Sequence, residues 1–158
     1  MAKKATSFMK ETEKGWIEVG KSRTLWTNGQ MLIMDGYSSE FGGLGCGKYS
    51  YDVSANLIKP VKASEFPKVR DVIPKRRGYH KAEPATEFDM LKLLKRSYRS
   101  DLIVILKGKG VRAFLNYKYY QYLTEKFCDY TWKVKGAEEP ILFYYGKTLV
   151  AVVMPVRI

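Results

Sequence analysis

The sequence predicts an α+β fold in which antiparallel sheets carry two main helices on one face. Three observations predict it. Short alternating or β-branched segments recur in both halves of the chain, separated by glycine-containing turns. Residues 86–99 and 117–127 each begin with a helix N-cap and continue with apolar residues at helical spacing. Residues 111–154 then run through a strand, a helix and a three-strand meander, which is a repeatable α+β unit.

In order along the chain, residues 1–14 are polar and lysine-rich and read as a loose basic arm. Residues 15–19, 22–27 and 30–34 follow as three strands, joined at Gly20-Lys21 and at Asn28-Gly29, a strong hairpin signal. Residues 49–53 and 56–62 supply two more. Pro67 and Pro74 bracket a stretch expected to be extended, because proline disfavours helix in the residue before it. Residues 75–81 contain four Lys and Arg side chains together with Gly78 and His80 and read as an exposed loop.

Thr86 and Asp89 make a capping-box pattern for the first helix. Its face of Phe88, Leu91, Leu94 and Tyr98 packs, while Lys92, Lys95, Arg96 and Arg99 form a basic stripe. Strands at 101–107 and 111–114 surround a turn at 108–110. Asn116 caps the second helix, whose Tyr119, Leu123 and Phe127 point inward. Residues 130–135, 140–145 and 149–154 complete the chain as strands, with Gly146-Lys147 as a hairpin turn. The domain expectation is a strand-rich half with its connector at 15–74 and an α+β half at 75–158.

At 158 residues, 46% hydrophobic and 14% aromatic, the chain is long and apolar enough to build a core. No apolar run has the length of a membrane helix and the lysine-rich start lacks a signal-peptide core, so a soluble, cytoplasmic protein with no membrane partner is expected. Cys46 and Cys128 are far apart, and His80 is the sole histidine. Zinc-binding spacing and a disulfide framework are therefore missing, and no metal, cofactor or catalytic residue is expected.

The net charge of +12 is uneven: residues 59–99 hold twelve basic and five acidic side chains, residues 1–58 seven and six. Such a bias points to a polyanion, with nucleic acid ahead of membrane. The helical basic stripe suits phosphates and has no means of reading bases. Gly42, Gly47 and Lys48 match part of a phosphate-binding loop, but Tyr49 stands where Ser or Thr would hold magnesium, and a strand follows where a helix is required.

The tail, Met154-Pro155-Val156-Arg157-Ile158, is apolar apart from one guanidinium. Either Val150, Val152 and Ile158 finish a core, or the tail lines a groove that a ligand fills.

Three separated stretches resemble one family, the bacterial sliding clamps that serve as ring-forming processivity subunits of the replicative polymerase. Phe114-Leu-Asn116 through Tyr122-Leu123, followed by a meander into the Met-Pro-Val-Arg-Ile tail, is similar to the family's closing half-domain. Phe66-Pro67 through Val72-Ile73-Pro74 resembles its inter-domain connector, and Asp35-Gly36-Tyr37 its Asp-Gly-His strand end. The stretches stand in the family's order and cover roughly half of the chain. Tyr37 and Ser39 replace the family's His and Leu, and Asp71 replaces an Arg.

The resemblance implies a DNA-clamp-like fold with sheets outside and helices inside, and no covalent chemistry. It implies duplex DNA as a partner for Lys92, Lys95, Arg96 and Arg99, with Lys118 on the second helix. It also implies a peptide groove for replication or repair proteins, formed by Tyr37, Ser39, Pro67, Arg70, Val72, Val152, Met154, Pro155, Val156, Arg157 and Ile158. Encircling DNA would require a homo-oligomeric ring. The alternative is a peptide-binding decoy or adaptor that forms no ring.

Overall fold

The computed structural model describes residues 14–21, 23–35, 44–52, 57–85 and 103–156. The chain divides into two compact units, Met1–Ile73 and Pro74–Ile158.

In the first unit, β1 (Lys14–Val19), β2 (Thr24–Thr27), β3 (Met31–Asp35), β4 (Gly47–Asp52) and β5 (Leu57–Pro60) form antiparallel pairs in the order β5-β4-β1-β2-β3. The register sets Ile17 against Trp26 and Trp26 against Ile33. These three side chains are fully buried. Pro60 lies in β5, the strand beyond β4, where a missing amide donor is tolerated.

The β2–β3 turn is displaced by one residue from the expected tip. Asn28 N–H donates to the Met31 carbonyl at 3.3 Å, placing Gly29 and Gln30 at the tip, with Gly29 at φ +90°. Asn28 instead closes the turn from its first position, its Oδ1 accepting from Gln30 and Met31 N–H at 2.9 and 2.8 Å.

The connector is not extended throughout. It makes two 3₁₀ turns, Ala63–Glu65 and Val69–Val72. Glu65 N–H donates to Lys62 O and Asp71 N–H to Lys68 O, so the chain coils locally around Pro67.

The second unit contains β6 (His80–Pro84), β7 (Ile103–Gly108), β8 (Val111–Asn116), α1 (Tyr117–Lys126), β9 (Tyr130–Val134), β10 (Ile141–Tyr145) and β11 (Thr148–Val153), in the order β11-β10-β9-β6-β7-β8. The loop expected over 75–81 ends early, because His80 and Lys81 already belong to β6. His80 to Ala82 pair with β9, and Glu83 and Pro84 pair with β7. Two pairing partners make a strand of residues with weak strand propensity. Gly108 is required here, because a Cβ at that position would overlap the Lys81 carbonyl.

Helix α1 begins where expected. Asn116 Oδ1 accepts from Lys118 N–H at 2.9 Å, and Tyr119, Leu123 and Phe127 are buried. The rings of Phe127 and Phe143 lie 5.6 Å apart, and Tyr120 stacks on Trp132 at 5.8 Å. Among the described residues α1 is the α-helix observed; the other predicted helix, at 86–99, lies outside them, so the expected pair of helices on one face is not observed.

Candidate functional site

Tail, connector and helix each place some of the expected site residues. Strand β11 is built from Thr148-Leu-Val-Ala-Val-Val, a β-branched run paired with β10. Val152, opposite Leu142, is only 2% exposed and fills core rather than offering a surface. The chain emerges immediately afterwards: Met154 is 43% exposed, and Pro155 and Val156 are half-buried. Pro155 has no N–H to extend the ladder. Val156 N–H then donates to the Phe114 carbonyl of β8 at 2.7 Å, which fixes the path of the tail within the second unit. Arg157 and Ile158 lie outside the described residues.

The connector residues form a shallow depression of about 280 Å³ in the first unit, lined by Glu18, Lys48, Phe66, Pro67, Lys68 and Asp71. Phe66 is held from two sides. Trp16 meets it edge-on at 6.0 Å, and the Lys48 ammonium lies 5.5 Å from its ring centroid. Lys48 also pairs with Glu18 at 3.8 Å. Pro67 is thus presented on a fixed aromatic base. Val72 is 52% exposed, an unusual position for a branched aliphatic residue. The Arg70 side chain, and all of Tyr37 and Ser39, lie outside what the structure describes.

Glu18 and Lys68 were not singled out from the sequence, and Lys48 entered there only through the phosphate-loop match. Their clue was the spacing of β1 and β4: only pairing of these strands brings Glu18 opposite Lys48. The same geometry removes the phosphate-loop reading. Gly47 and Lys48 open strand β4 rather than leading into a helix N-terminus, and Lys48 is occupied by Glu18 and Phe66.

Of the expected DNA contacts, Lys118 is exposed in the first turn of α1. A cation there opposes the helix dipole, and the site favours an anion alongside it. Lys92, Lys95, Arg96 and Arg99 lie outside the described residues. The tyrosines of α1 serve mainly as packing. Burial pushes the Tyr120 phenol up to about 12, aided by its hydrogen bond to Tyr130 and by the neighbouring Tyr130 and Tyr117 hydroxyls. Among the described residues no helix is long and apolar enough to cross a membrane, and no cluster of side chains could hold a metal ion. Cys46 and Cys128 are exposed free thiols.

No protein-family model and no curated protein matches the chain. Solved structures do. The chain is similar to the β subunit of DNA polymerase III from Thermotoga maritima, with a TM-score of 0.51 and 13% identity, over 99% of this chain and 60% of that one. It is similar to a DNA polymerase sliding clamp from Pseudomonas aeruginosa with ligand, at TM-score 0.52 and 13% identity over 100% of this chain and 61% of that one. It is also similar to a DnaN sliding clamp from Pseudomonas aeruginosa bound to griselimycin, at 0.51 and 10% identity over 99% and 60%. The chain spans about three fifths of the length of these structures. At this level of identity the likeness establishes architecture: the fold is that of a DNA sliding clamp.

Proposed function

We propose that the chain is a sliding-clamp-like protein that binds duplex DNA without sequence preference and docks short peptides of replication or repair proteins. The observation that carries this reading is a clamp-like fold spanning at least 99% of the chain, together with an apolar tail that surfaces at Met154. The role is one of binding; no covalent step is assigned to any residue.

Phosphate contacts would come from the helices, from Lys118 and from Lys92, Lys95, Arg96 and Arg99. Such contacts hold a duplex by charge and allow it to slide. The docking site would comprise Tyr37, Ser39, Pro67, Arg70, Val72, Met154, Pro155, Val156, Arg157 and Ile158. Methionine and small apolar side chains suit a surface that accepts more than one peptide. Retention on DNA would need several copies in a closed ring.

The test removes residues 154–158 and measures two ligands on the folded chain. Griselimycin, the compound bound to one structural neighbour, serves as one probe and a labelled duplex as the other. Loss of griselimycin binding with duplex affinity preserved supports the separation of groove from DNA face. Parallel loss of both in a folded variant overturns it. Absolute mass by light scattering distinguishes the ring, a discrete oligomer that survives dilution, from a monomeric decoy or adaptor.

A further inference from the structure

Strand parity places a second basic surface on the second unit, away from α1. Trp132 and Phe143 face the helix, through Tyr120 and Phe127. Their strand neighbours Lys133 and Leu142 therefore point to the other face. Register then sets Lys81 directly opposite Lys133, and the next row sets Glu83 opposite Lys107 and Lys107 opposite Arg112. Leu142 and Tyr144 share this face but are buried. The accessible part begins at β9 and crosses β6 to β7 and β8, where Lys81, Lys107 and Arg112 are exposed.

Two like-charge pairs lie side by side in this arrangement, Lys81 with Lys133 and Lys107 with Arg112. Like charges directly opposite in an antiparallel pair weaken a sheet. The preceding loop adds Lys75, Arg76 and Arg77. It is fixed in place: Tyr79 donates its phenolic hydrogen to the Pro140 carbonyl at 2.7 Å. Gly78, at φ +86°, sits so close to Lys135 that an added Cβ would stand 3.2 Å from Cε. Arg76 and Lys133 both lie over the Tyr144 ring, at 5.6 and 4.6 Å from its centroid. Both positive heads are thus anchored on one buried ring. Among the described residues, Arg76, Arg77, Lys81, Lys133 and Lys135 have no carboxylate within salt-bridge distance. The acids nearby are Glu83 on the face and Glu139 beside Tyr79.

We propose that this face, centred on Lys81, Lys133, Lys135, Arg76 and Arg77, is a second binding surface for the phosphodiester backbone of duplex DNA, separate from the helix face. Neighbouring strands stand about 4.8 Å apart, and alternate residues along a strand about 7 Å apart. The strand cations at this spacing, with the loop cations Arg76 and Arg77 beside them in the chain, suit a polymer carrying one phosphate about every 3.4 Å per strand. A lipid surface is disfavoured, because the exposed strand residues of this face, Lys81, Glu83, Lys107 and Arg112, are all charged and offer no apolar side chain to insert. Single-stranded bases are disfavoured too: Tyr144 is buried, at 4% exposure, so it offers no face for stacking.

Lys81→Glu is the diagnostic variant, because it converts a like-charge pair with Lys133 into an opposite-charge pair. The full chain, with Lys81→Glu and Arg77→Glu combined, is titrated with a labelled 20-base-pair duplex across salt concentrations. The expected result is at least a tenfold loss of affinity at 50 mM salt and a salt slope smaller by about 2. The melting temperature of Lys81→Glu should be unchanged or raised, so lost binding cannot be ascribed to unfolding. Griselimycin binding stays intact, which separates this test from that of the docking groove. Unchanged duplex affinity and slope would overturn the proposal. Tighter binding of a single strand than of the duplex, or of vesicles rich in phosphatidylserine, would also overturn it, with the same face then serving a different ligand.

Discussion

Glu18 faces Lys48 directly across β1 and β4, whereas Lys81 faces Lys133 directly across β6 and β9. Both are direct cross-strand partners in antiparallel pairs, yet one holds opposite charges and the other like charges. Glu18 and Lys48 close to 3.8 Å. Lys133 turns instead over the Tyr144 ring, with Arg76 over the same ring. A cross-strand pair of opposite charges contributes roughly 0.2–1 kcal/mol, and like charges cost a comparable amount. The first sheet uses this position for stability, while the second maintains positive potential at some expense to its own. A surface evolved only to stay soluble would gain from interleaving the signs.

The comparison supposes that packing elsewhere in the second unit carries the repulsion. Phe143 is the place to break it: it is fully buried and meets the rings of Phe127, Tyr130 and Trp132. Phe143→Ala should destabilise the second unit by about 3–5 kcal/mol, read from the urea midpoint. A loss below about 1 kcal/mol would mean that contacts between α1 and the sheet do not carry the unit.

Gly108→Ala follows, at about 1–3 kcal/mol, since the new methyl meets the Lys81 backbone and not a movable side-chain end. Faster amide exchange in β6 than in β10 would locate the damage, and equal exchange would show that β6 is not the strand displaced.

Charge substitutions sharpen the contrast with smaller effects. Lys81→Glu should add about 0.2–1 kcal/mol, and Glu18→Lys should remove a similar amount, with both changes shrinking in 1 M salt. Thermal melts at two ionic strengths decide it; shifts of the same sign in both variants would dissolve the distinction between the sheets.

Two phenols have no such effect at neutral pH. Burial pushes Tyr79 up to about 12, with the Glu139 charge and Tyr144 adding to it, and Tyr120 reaches about 12 as well. Between pH 10 and 12 the unfolded chain releases these protons before the folded chain does. The stability they supply is therefore present below about pH 10 and is lost as pH rises through about 12. Tyrosinate absorbance should show Tyr79 and Tyr120 among the late-titrating phenols, and Tyr79→Phe should remove one late-titrating group.

Most of the fold was legible, because strands and turns leave local signatures. The meander at the end of the chain and the Asn116 cap were read from periodicity and capping chemistry. What escaped was decided by pairing. His80–Pro84 has little strand propensity and becomes β6 only because β9 and β7 supply partners on its two edges. The connector was misread for a related reason: proline biases the residue before it, but Val69 to Val72 lie between the two prolines and are free to coil. Of the groove residues, Met154 and Val72 could be placed as exposed, whereas Val152 carried the same apolar signature and proved to be core. Hydrophobicity cannot separate a buried valine from one awaiting a ligand. The basic face was invisible to helical counting, since Lys81 and Lys133 are far apart in sequence and meet only through register.

The hydrogen bond from Val156 to Phe114 gives the tail a built-in reporter. A single backbone proton there is shielded while the tail lies along β8 and meets solvent when the tail lifts. Its exchange rate measures the free energy of that opening directly. A ligand that captures Met154 with the tail seated would slow the exchange, and one that requires the tail to lift would accelerate it. The sign of one amide signal therefore tells whether docking reads a surface already formed or one that has to be made.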